Sequence, residues 1–166
     1  MTPMQERNVP IAGNQSVIMR TFMLRNGAEP FLSIKEIVML HYEGWPDFGT
    51  PTEASTILDL ISLLNNTISR RGDRARNAPV LVHCSAGCGR TGAFITVDAL
   101  LSQYDASKSG EGDEDDDDVV YTMVSALREQ RMSAVQTLRQ YVLCYECVLH
   151  SQVNRIIGDD TQMSIG

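Results

Sequence analysis

The sequence lacks several features that define whole classes of protein. None of its apolar runs approaches the roughly 18 residues that span a bilayer, which excludes a transmembrane protein and predicts no membrane partner. Residues 1–14 are polar and contain no apolar core of a secretory signal. The chain of 166 residues has only four cysteines, too few for a disulfide scaffold. Because free thiols suit a reducing compartment, we expect the cytoplasm or the nucleus.

The chain has few lysines and a net charge of −7, but this charge is local. Residues 105–118, the acidic insert, hold eight acidic residues and one lysine, which leaves 13 acidic and 13 basic residues elsewhere. The neutral remainder offers no basic excess, so we expect no nucleic-acid partner. Such an insert is typical of a solvated loop, and docking of a basic partner at residues 110–118 is the alternative.

Hydrophobic patterning predicts strands followed by helices, which favours an α/β domain. Residues 17–25 and 34–42 are expected to pair as strands on either side of an Asn26-Gly27 turn. Residues 79–83 form a short apolar run, typical of a strand buried in a sheet. The apolar spacing predicts helices over residues 52–70, 91–104, 119–130 and 137–153.

Three other segments carry composition signals. Residues 44–51 contain two prolines and two glycines and predict a loop, which ends in a capping box from Thr50 to Glu53. Residues 70–77 contain four arginines, which indicates a solvated connector or, alternatively, an anion-binding patch. Residues 154–166 are expected to be a frayed tail.

The strongest chemical signal is His-Cys-Ser-Ala-Gly-Cys-Gly-Arg-Thr-Gly at residues 83–92, here named the cysteine loop. Its glycines let backbone N–H groups turn inward before a predicted helix, and such a nest binds a phosphate-sized dianion. Arg90 adds a two-pronged contact to phosphate oxygens. The same positive field favours a thiolate at Cys84, which predicts covalent phosphoryl transfer without a metal or cofactor. The structural alternative is a small apolar cysteine at the end of a core strand.

The cysteine loop resembles the signature sequence of the protein tyrosine phosphatases. Trp-Pro-Asp at residues 45–47 resembles that family's mobile general-acid loop, and residues 136–141 resemble its glutamine loop. The resemblance implies an α/β fold with a twisted mixed sheet flanked by helices, and hydrolysis of phosphotyrosine in proteins through a phosphocysteine. It implies a catalytic domain over residues 1–153 and a tail over residues 154–166.

The resemblance also implies the catalytic roles. Cys84 is the nucleophile, Asp47 is the general acid and then the base, and Thr91 assists departure of the thiolate. Arg90 and the loop backbone hold the phosphate oxygens as their charge grows. The implied phosphate-binding residues are Cys84, Ser85, Ala86, Gly87, Cys88, Gly89 and Arg90.

The remaining implied roles concern water and loop geometry. Gln136 and Gln140 orient the water that attacks the phosphocysteine. Trp45 and Pro46 support the acid loop, residues 45–49, with Trp45 as a hinge. His83, expected as a core histidine with its hydrogen bonds satisfied, fixes the cysteine loop and tunes the thiolate.

The chain departs from the family's pattern in what precedes these motifs. It contains no Lys-Asn-Arg-Tyr type motif, and Trp45 is its only tryptophan, so a Tyr-Trp-Pro pattern is absent. We therefore expect the C-terminal portion of the family's domain. Two alternatives to an active phosphotyrosine phosphatase follow: a catalytically impaired phosphotyrosine-binding fragment, and a dual-specificity phosphatase. The Trp-Pro-Asp and glutamine loops argue against the second.

The other cysteines have two interpretations each. Cys88 is either a small filler of the cysteine loop or a redox partner of Cys84. Cys144, Cys147 and His150 have the spacing of metal ligands on one helix. A fourth ligand is not evident, so a packing stripe is favoured over zinc.

Overall fold

The computed structural model describes residues 3–25, 27–28, 34–72, 75, 78–107 and 118–163. In these residues a three-stranded sheet in the order β1-β2-β3 precedes four helices. The elements are β1 Gln5–Ile11, β2 Gln15–Arg25, β3 Ile34–His41, α1 Ala54–Arg70, α2 Gly89–Ser107, α3 Val119–Gln130 and α4 Leu138–Met163. Among the described helices, none is both long enough and apolar enough to cross a membrane.

The sheet confirms the predicted strand pair and adds a strand. Strands β2 and β3 pair antiparallel, with Arg25 opposite Ile34, while Asn26 lies outside the described residues. Strand β1 was not predicted, because it is mostly polar and contains Pro10. Proline is tolerated in this strand because it lies at the edge of the sheet. The turn from β1 to β2 contains Gly13 and Asn14 at φ of 68° and 55°. That Gly-Asn pair is the signal that could have revealed the hairpin.

The prediction of a buried strand at residues 79–83 is wrong. Within the described part of the chain, no strand pairs with this segment, and Val80 and Leu81 are 48% and 88% exposed. A buried strand needs a partner on each edge, and in the part that the structure describes, residues 79–83 do not join either outer edge of the sheet, at β1 or at β3. The α/β fold class is confirmed, but the described strands form an antiparallel sheet rather than a mixed one.

All four predicted helices form, with some different ends. Helix α3 has the predicted bounds, and α4 continues to Met163 instead of fraying after residue 153. Helix α1 begins at Ala54 after an extended Glu53, whose side chain accepts a hydrogen bond from the Ser55 hydroxyl rather than from a helix N–H. The predicted capping box is therefore wrong, because Thr50 lies in the loop before the helix. Most of residues 73–77 and all of 108–117 lie outside the described residues.

The core lies between the helices and explains two of the cysteines. Cys144 and Cys147 on α4 are fully buried among apolar side chains of α1, α2 and α3. This burial raises the pKa of each thiol to about 12. His150 is exposed instead, with its ring Nδ1 3.2 Å from the Asn154 side chain. The two cysteines therefore pack in the core and do not join His150.

Helix α2 meets the segment before the glutamine loop (residues 136–141) at Gly92. The N–H groups of Gly92 and Val135 both donate to the carbonyl of Cys88, at 2.8 and 3.4 Å. A Cβ added at Gly92 would lie only 2.6 Å from the Val135 nitrogen. The absence of a side chain at Gly92 thus lets the cysteine loop and the glutamine loop lie side by side.

We expect Gly92→Ala to lower the free energy of unfolding by about 1–3 kcal/mol, because backbone must move to admit the methyl group. Urea unfolding followed by circular dichroism measures this change. Gly27→Ala is the matched control, since a Cβ at Gly27 meets no atom of the described residues within 4 Å. Equal unfolding midpoints for the two variants would contradict the close approach.

Candidate active site

The cysteine loop folds so that backbone N–H groups converge on one sulfur. It runs from residue 83 into the first turn of α2, with Gly87 in the left-handed region at φ 67°. Glycine adopts this conformation without steric cost. The N–H of Gly87 donates to Cys84 Sγ at 3.3 Å. The loop is therefore an anion-binding nest with the sulfur at its centre.

This environment favours the thiolate form of Cys84. Partial burial raises the pKa of the thiol, but hydrogen bonds to the sulfur outweigh that effect and lower the pKa to about 6. The donors, in order of their effect, are the Thr91 hydroxyl and the backbone N–H groups of Thr91, Cys88 and Gly87. A pKa of about 6 makes Cys84 a nucleophile at neutral pH.

The Thr91 hydroxyl is placed to serve this sulfur. It is buried in the first turn of α2, and among the described residues no group forms a regular hydrogen bond with its oxygen. A buried hydroxyl without a regular partner is costly, and the group that it affects is the Cys84 thiol, whose pKa it lowers. Thr91 thus lies where its hydroxyl lowers the pKa of the Cys84 thiol.

The acid loop is anchored to the core through Trp45. This side chain is 6% exposed, and its indole N–H donates to the carbonyl of Gly49 at 2.9 Å. The Gly49 N–H in turn donates to the Pro46 carbonyl at 3.2 Å. These bonds close a tight turn. At the tip of this turn lie Phe48 and Asp47, whose side chain is 62% exposed.

Arg90 joins the cysteine loop to the acid loop. One of its terminal nitrogens donates to the Trp45 carbonyl at 2.8 Å, and the other forms an ion pair with the Asp47 carboxylate. The predicted phosphate-binding arginine and the predicted general acid therefore lie in direct contact. A phosphate that took the same terminal nitrogen of Arg90 would displace Asp47.

The glutamine loop is held by Gln140, which is 1% exposed. Its Oε1 accepts from the N–H groups of Gln136 and Thr137 at 3.1 and 3.3 Å, and its Nε2 donates to the Gly49 carbonyl at 3.4 Å. Gln140 therefore fastens the glutamine loop to the acid loop. Gln136, by contrast, is exposed and its side chain borders the space above Cys84.

The three loops enclose a pocket of about 100 Å³. It is lined by Asp47, Phe48, Cys84, Ser85, Ala86, Gly89, Arg90, Gln136 and Gln140. All but Phe48 are residues named from the sequence. Cys88 is buried behind the loop. His83 is exposed, with its ring 3.3 Å from the Cys84 carbonyl oxygen, so the prediction of a core histidine is wrong because residues 79–83 are not covered by a sheet.

Sequence reasoning missed two residues here. Phe48 is 67% exposed and forms one wall of the pocket, and its position directly after Asp47 was the available signal. Arg131 donates to the carbonyls of Ala86 and Gly87 from outside the cysteine loop. Among the described residues, His, Cys, Asp and Glu do not gather in groups of three that could hold a metal ion.

The fold and the pocket together place a thiol of lowered pKa in a loop with the geometry of an anion-binding nest. A family model described as protein-tyrosine phosphatase matches residues 6–150. This chain belongs to the protein-tyrosine phosphatase family.

Individual relatives of the chain carry the name of the same family. The chain is 39% identical over 115 residues to receptor-type tyrosine-protein phosphatase epsilon of Rattus norvegicus, covering 69% of this chain and 15% of that protein. It is 36% identical over 114 residues to human tyrosine-protein phosphatase non-receptor type 12, covering 69% of this chain and 13% of that protein. The crystal structure of Trypanosoma brucei protein tyrosine phosphatase TbPTP1 matches with a TM-score of 0.65 and 31% identity, covering 81% of this chain and 42% of that one. The chain thus spans less than half the length of these relatives.

We expect the alkylation of Cys84 by iodoacetamide to rise with pH through a midpoint near 6 and then level off, because the thiolate and not the thiol reacts. Thr91→Val should move the midpoint upward by removing a donor to the thiolate, whereas Thr91→Ser should retain it. Mass spectrometry of the modified peptide measures the rate from about pH 5 to about pH 9. A wild-type midpoint near the ordinary value of about 8.5 would contradict this account.

Proposed function

We propose that this chain hydrolyses phosphotyrosine in proteins through a phosphocysteine intermediate. The observation that carries the proposal is the pocket in which a Cys84 sulfur of lowered pKa lies beside Arg90 and Asp47. A nucleophile, an anion clamp and an acid in one pocket are the groups that such a reaction requires. Family membership supports the same chemistry.

In the first step the Cys84 thiolate attacks phosphorus, and the bond between phosphorus and the tyrosyl oxygen breaks. The three equatorial oxygens occupy the nest, and Arg90 turns its fork from Asp47 to two of them. Asp47, protonated, gives its proton to the departing phenolic oxygen. Tyrosine leaves and a thiophosphate ester remains on Cys84.

In the second step water attacks the phosphocysteine, and Asp47 as carboxylate takes a proton from that water. Gln136 is the residue that orients the water, since its side chain is exposed at the pocket. The amide of Gln140 already bonds to three backbone groups, which supports a role in holding the loops. The sulfur leaves as a thiolate, which the Thr91 hydroxyl stabilises.

Phe48 favours phosphotyrosine over phosphoserine. Its exposed ring stands at the wall of the pocket, where it offers a flat apolar surface to another aromatic ring. A seryl group has no ring to occupy that surface. This contact, together with the acid and glutamine loops, favours phosphotyrosine specificity over the dual-specificity alternative.

A second candidate is binding of phosphotyrosine without turnover. It is favoured by Leu81, which is 88% exposed just before the cysteine loop and leaves that approach to the loop without cover. A loop held less firmly retains an affinity for phosphate but loses the geometry that catalysis needs.

The proposed chemistry implies a class of substrate, a cellular role and a compartment. We propose a phosphotyrosine-containing protein as substrate, a role in signal transduction, and action in the cytoplasm or the nucleus, where the four free cysteines stay reduced. A basic partner at residues 110–118 is a further hypothesis, and of these residues only Asp118 lies in the described part of the chain.

Phosphate release from a phosphotyrosine peptide tests the proposal. We expect no turnover from Cys84→Ser, because a hydroxyl does not ionise at neutral pH, and a loss of about 10²–10⁴-fold from Asp47→Asn, because general acid catalysis is removed. Glu146→Gln, an exposed change of the same kind on α4, is the control and should leave the rate unchanged.

Three results would count against the proposal. Turnover that survives Cys84→Ser would exclude the phosphocysteine. Saturable peptide binding by a folded wild-type chain with no phosphate release would select the binding module instead. Equal rates on matched phosphoserine and phosphotyrosine peptides would select the dual-specificity alternative.

The glutamines should separate the two chemical steps. We expect Gln136→Ala to slow hydrolysis of the phosphocysteine, so that a burst of tyrosine release precedes slow turnover, while Gln140→Ala should slow both steps and lower the unfolding midpoint. Rapid-quench kinetics with acid-trapped phosphoenzyme measures each step. A burst from Gln140→Ala alone would reverse the two assignments.

A further inference from the structure

We propose that Arg131 is the positioning residue that keeps the N–H groups of the cysteine loop directed at the Cys84 sulfur. This inference rests on the proposed function, because it concerns how the same site maintains its thiolate. Arg131 lies directly after α3, and it touches the cysteine loop on the side away from the pocket.

The contact is a fork on two successive carbonyls. A terminal nitrogen of Arg131 donates to the Ala86 carbonyl at 2.9 Å, and Nε donates to the Gly87 carbonyl at 3.4 Å. The guanidinium is planar and presents its donors in fixed directions, so it holds both carbonyls at once. These two carbonyls point outward, toward Arg131.

Because the peptide bond is planar, holding these carbonyls outward directs the N–H groups that follow them inward. In a trans peptide the C=O of one residue and the N–H of the next point in opposite directions. The outward carbonyl of Ala86 therefore sends the N–H of Gly87 inward, where it donates to Cys84 Sγ at 3.3 Å. The outward carbonyl of Gly87 does the same for the N–H of Cys88, which also lowers the pKa of Cys84.

The loop needs such a hold because its own backbone is permissive. Gly87 is at φ 67°, and glycine populates both signs of φ about equally, so these peptide planes turn over at little steric cost. Within the cysteine loop, the Ala86 carbonyl is also approached by the Cys88 thiol at 3.4 Å, which is a weak donor. Arg131 supplies the charged donors that fix the orientation.

A second arginine on the same helix end acts on a different loop. Arg128 donates to the carbonyls of Ala134 and Val135 at 2.9 and 2.8 Å. Val135 is held at φ 56°, an uncommon conformation for a β-branched residue, just before Gln136. Arg128 therefore serves as an internal comparison, since within the described structure it forms no bond with the residues that donate to the sulfur and is linked to Cys88 only through Val135.

The test is the pH profile of Cys84 alkylation by iodoacetamide, with unfolding midpoints measured beside it. We expect Arg131→Met to raise the alkylation midpoint by about one pH unit, which slows alkylation at pH 6 about fivefold. Arg131→Lys keeps the charge but loses the planar fork, and its midpoint should also rise. Arg128→Met and Arg70→Met, an exposed arginine at the end of α1, should keep the wild-type midpoint.

A second readout is protection of Cys84 from alkylation by inorganic phosphate. We expect Arg131→Met and Arg131→Lys to need several-fold more phosphate for half-protection, because the same N–H groups bind the anion. An unchanged midpoint and unchanged protection in both variants would overturn the proposal. Full recovery by lysine would also overturn it, since charge alone would then account for the effect.

Alkylation requires no turnover, so the proposed function and the role of Arg131 can be refuted independently of each other. A wild-type midpoint near 6 that rises on Arg131→Met, in a chain that releases no phosphate, would refute the proposed function and support the role of Arg131. Phosphate release that persists with an unchanged midpoint in both Arg131 variants would support the proposed function and refute the role of Arg131.

Discussion

The hydrogen bonds donated to the Cys84 sulfur are the interaction on which the rest of the site depends. Burial alone raises the pKa of this thiol, and only the convergence of the Thr91 hydroxyl with three backbone N–H groups reverses the effect. The same N–H groups are the donors that a phosphate would meet. One arrangement of the backbone therefore prepares the nucleophile and the anion site together, and disorder in that backbone would weaken both.

The sequence contained most of the site because the decisive contacts within the cysteine loop are local. Cys84, Gly87 and Thr91 lie within eight residues, so their spacing alone indicates how the nest forms. The strand predicted at residues 79–83 failed for the opposite reason. A buried strand is defined by neighbours distant in sequence, and an apolar run does not reveal whether they are present.

Contacts between distant segments explain what else the sequence left hidden. The bond from Gln140 to the Gly49 carbonyl joins positions 91 apart, and Arg131 reaches Ala86 across 45 positions. Neither belongs to a periodic pattern, so an isolated glutamine or arginine at these positions reads as an ordinary polar residue. The helices were predictable because their apolar faces repeat, whereas β1 is mostly exposed and carries little pattern.

The ion pair between Arg90 and Asp47 neutralises the charge of the pocket from within. A singly charged anion would replace the Asp47 carboxylate at Arg90 with an interaction of about the same strength. This replacement therefore favours a ligand with two negative charges. When such a dianion displaces the carboxylate, the Asp47 side chain is released from Arg90 and is free to turn toward the ligand. Arrival of the ligand and release of the proposed acid are then a single event, which keeps Asp47 bound to Arg90 until a leaving group is present.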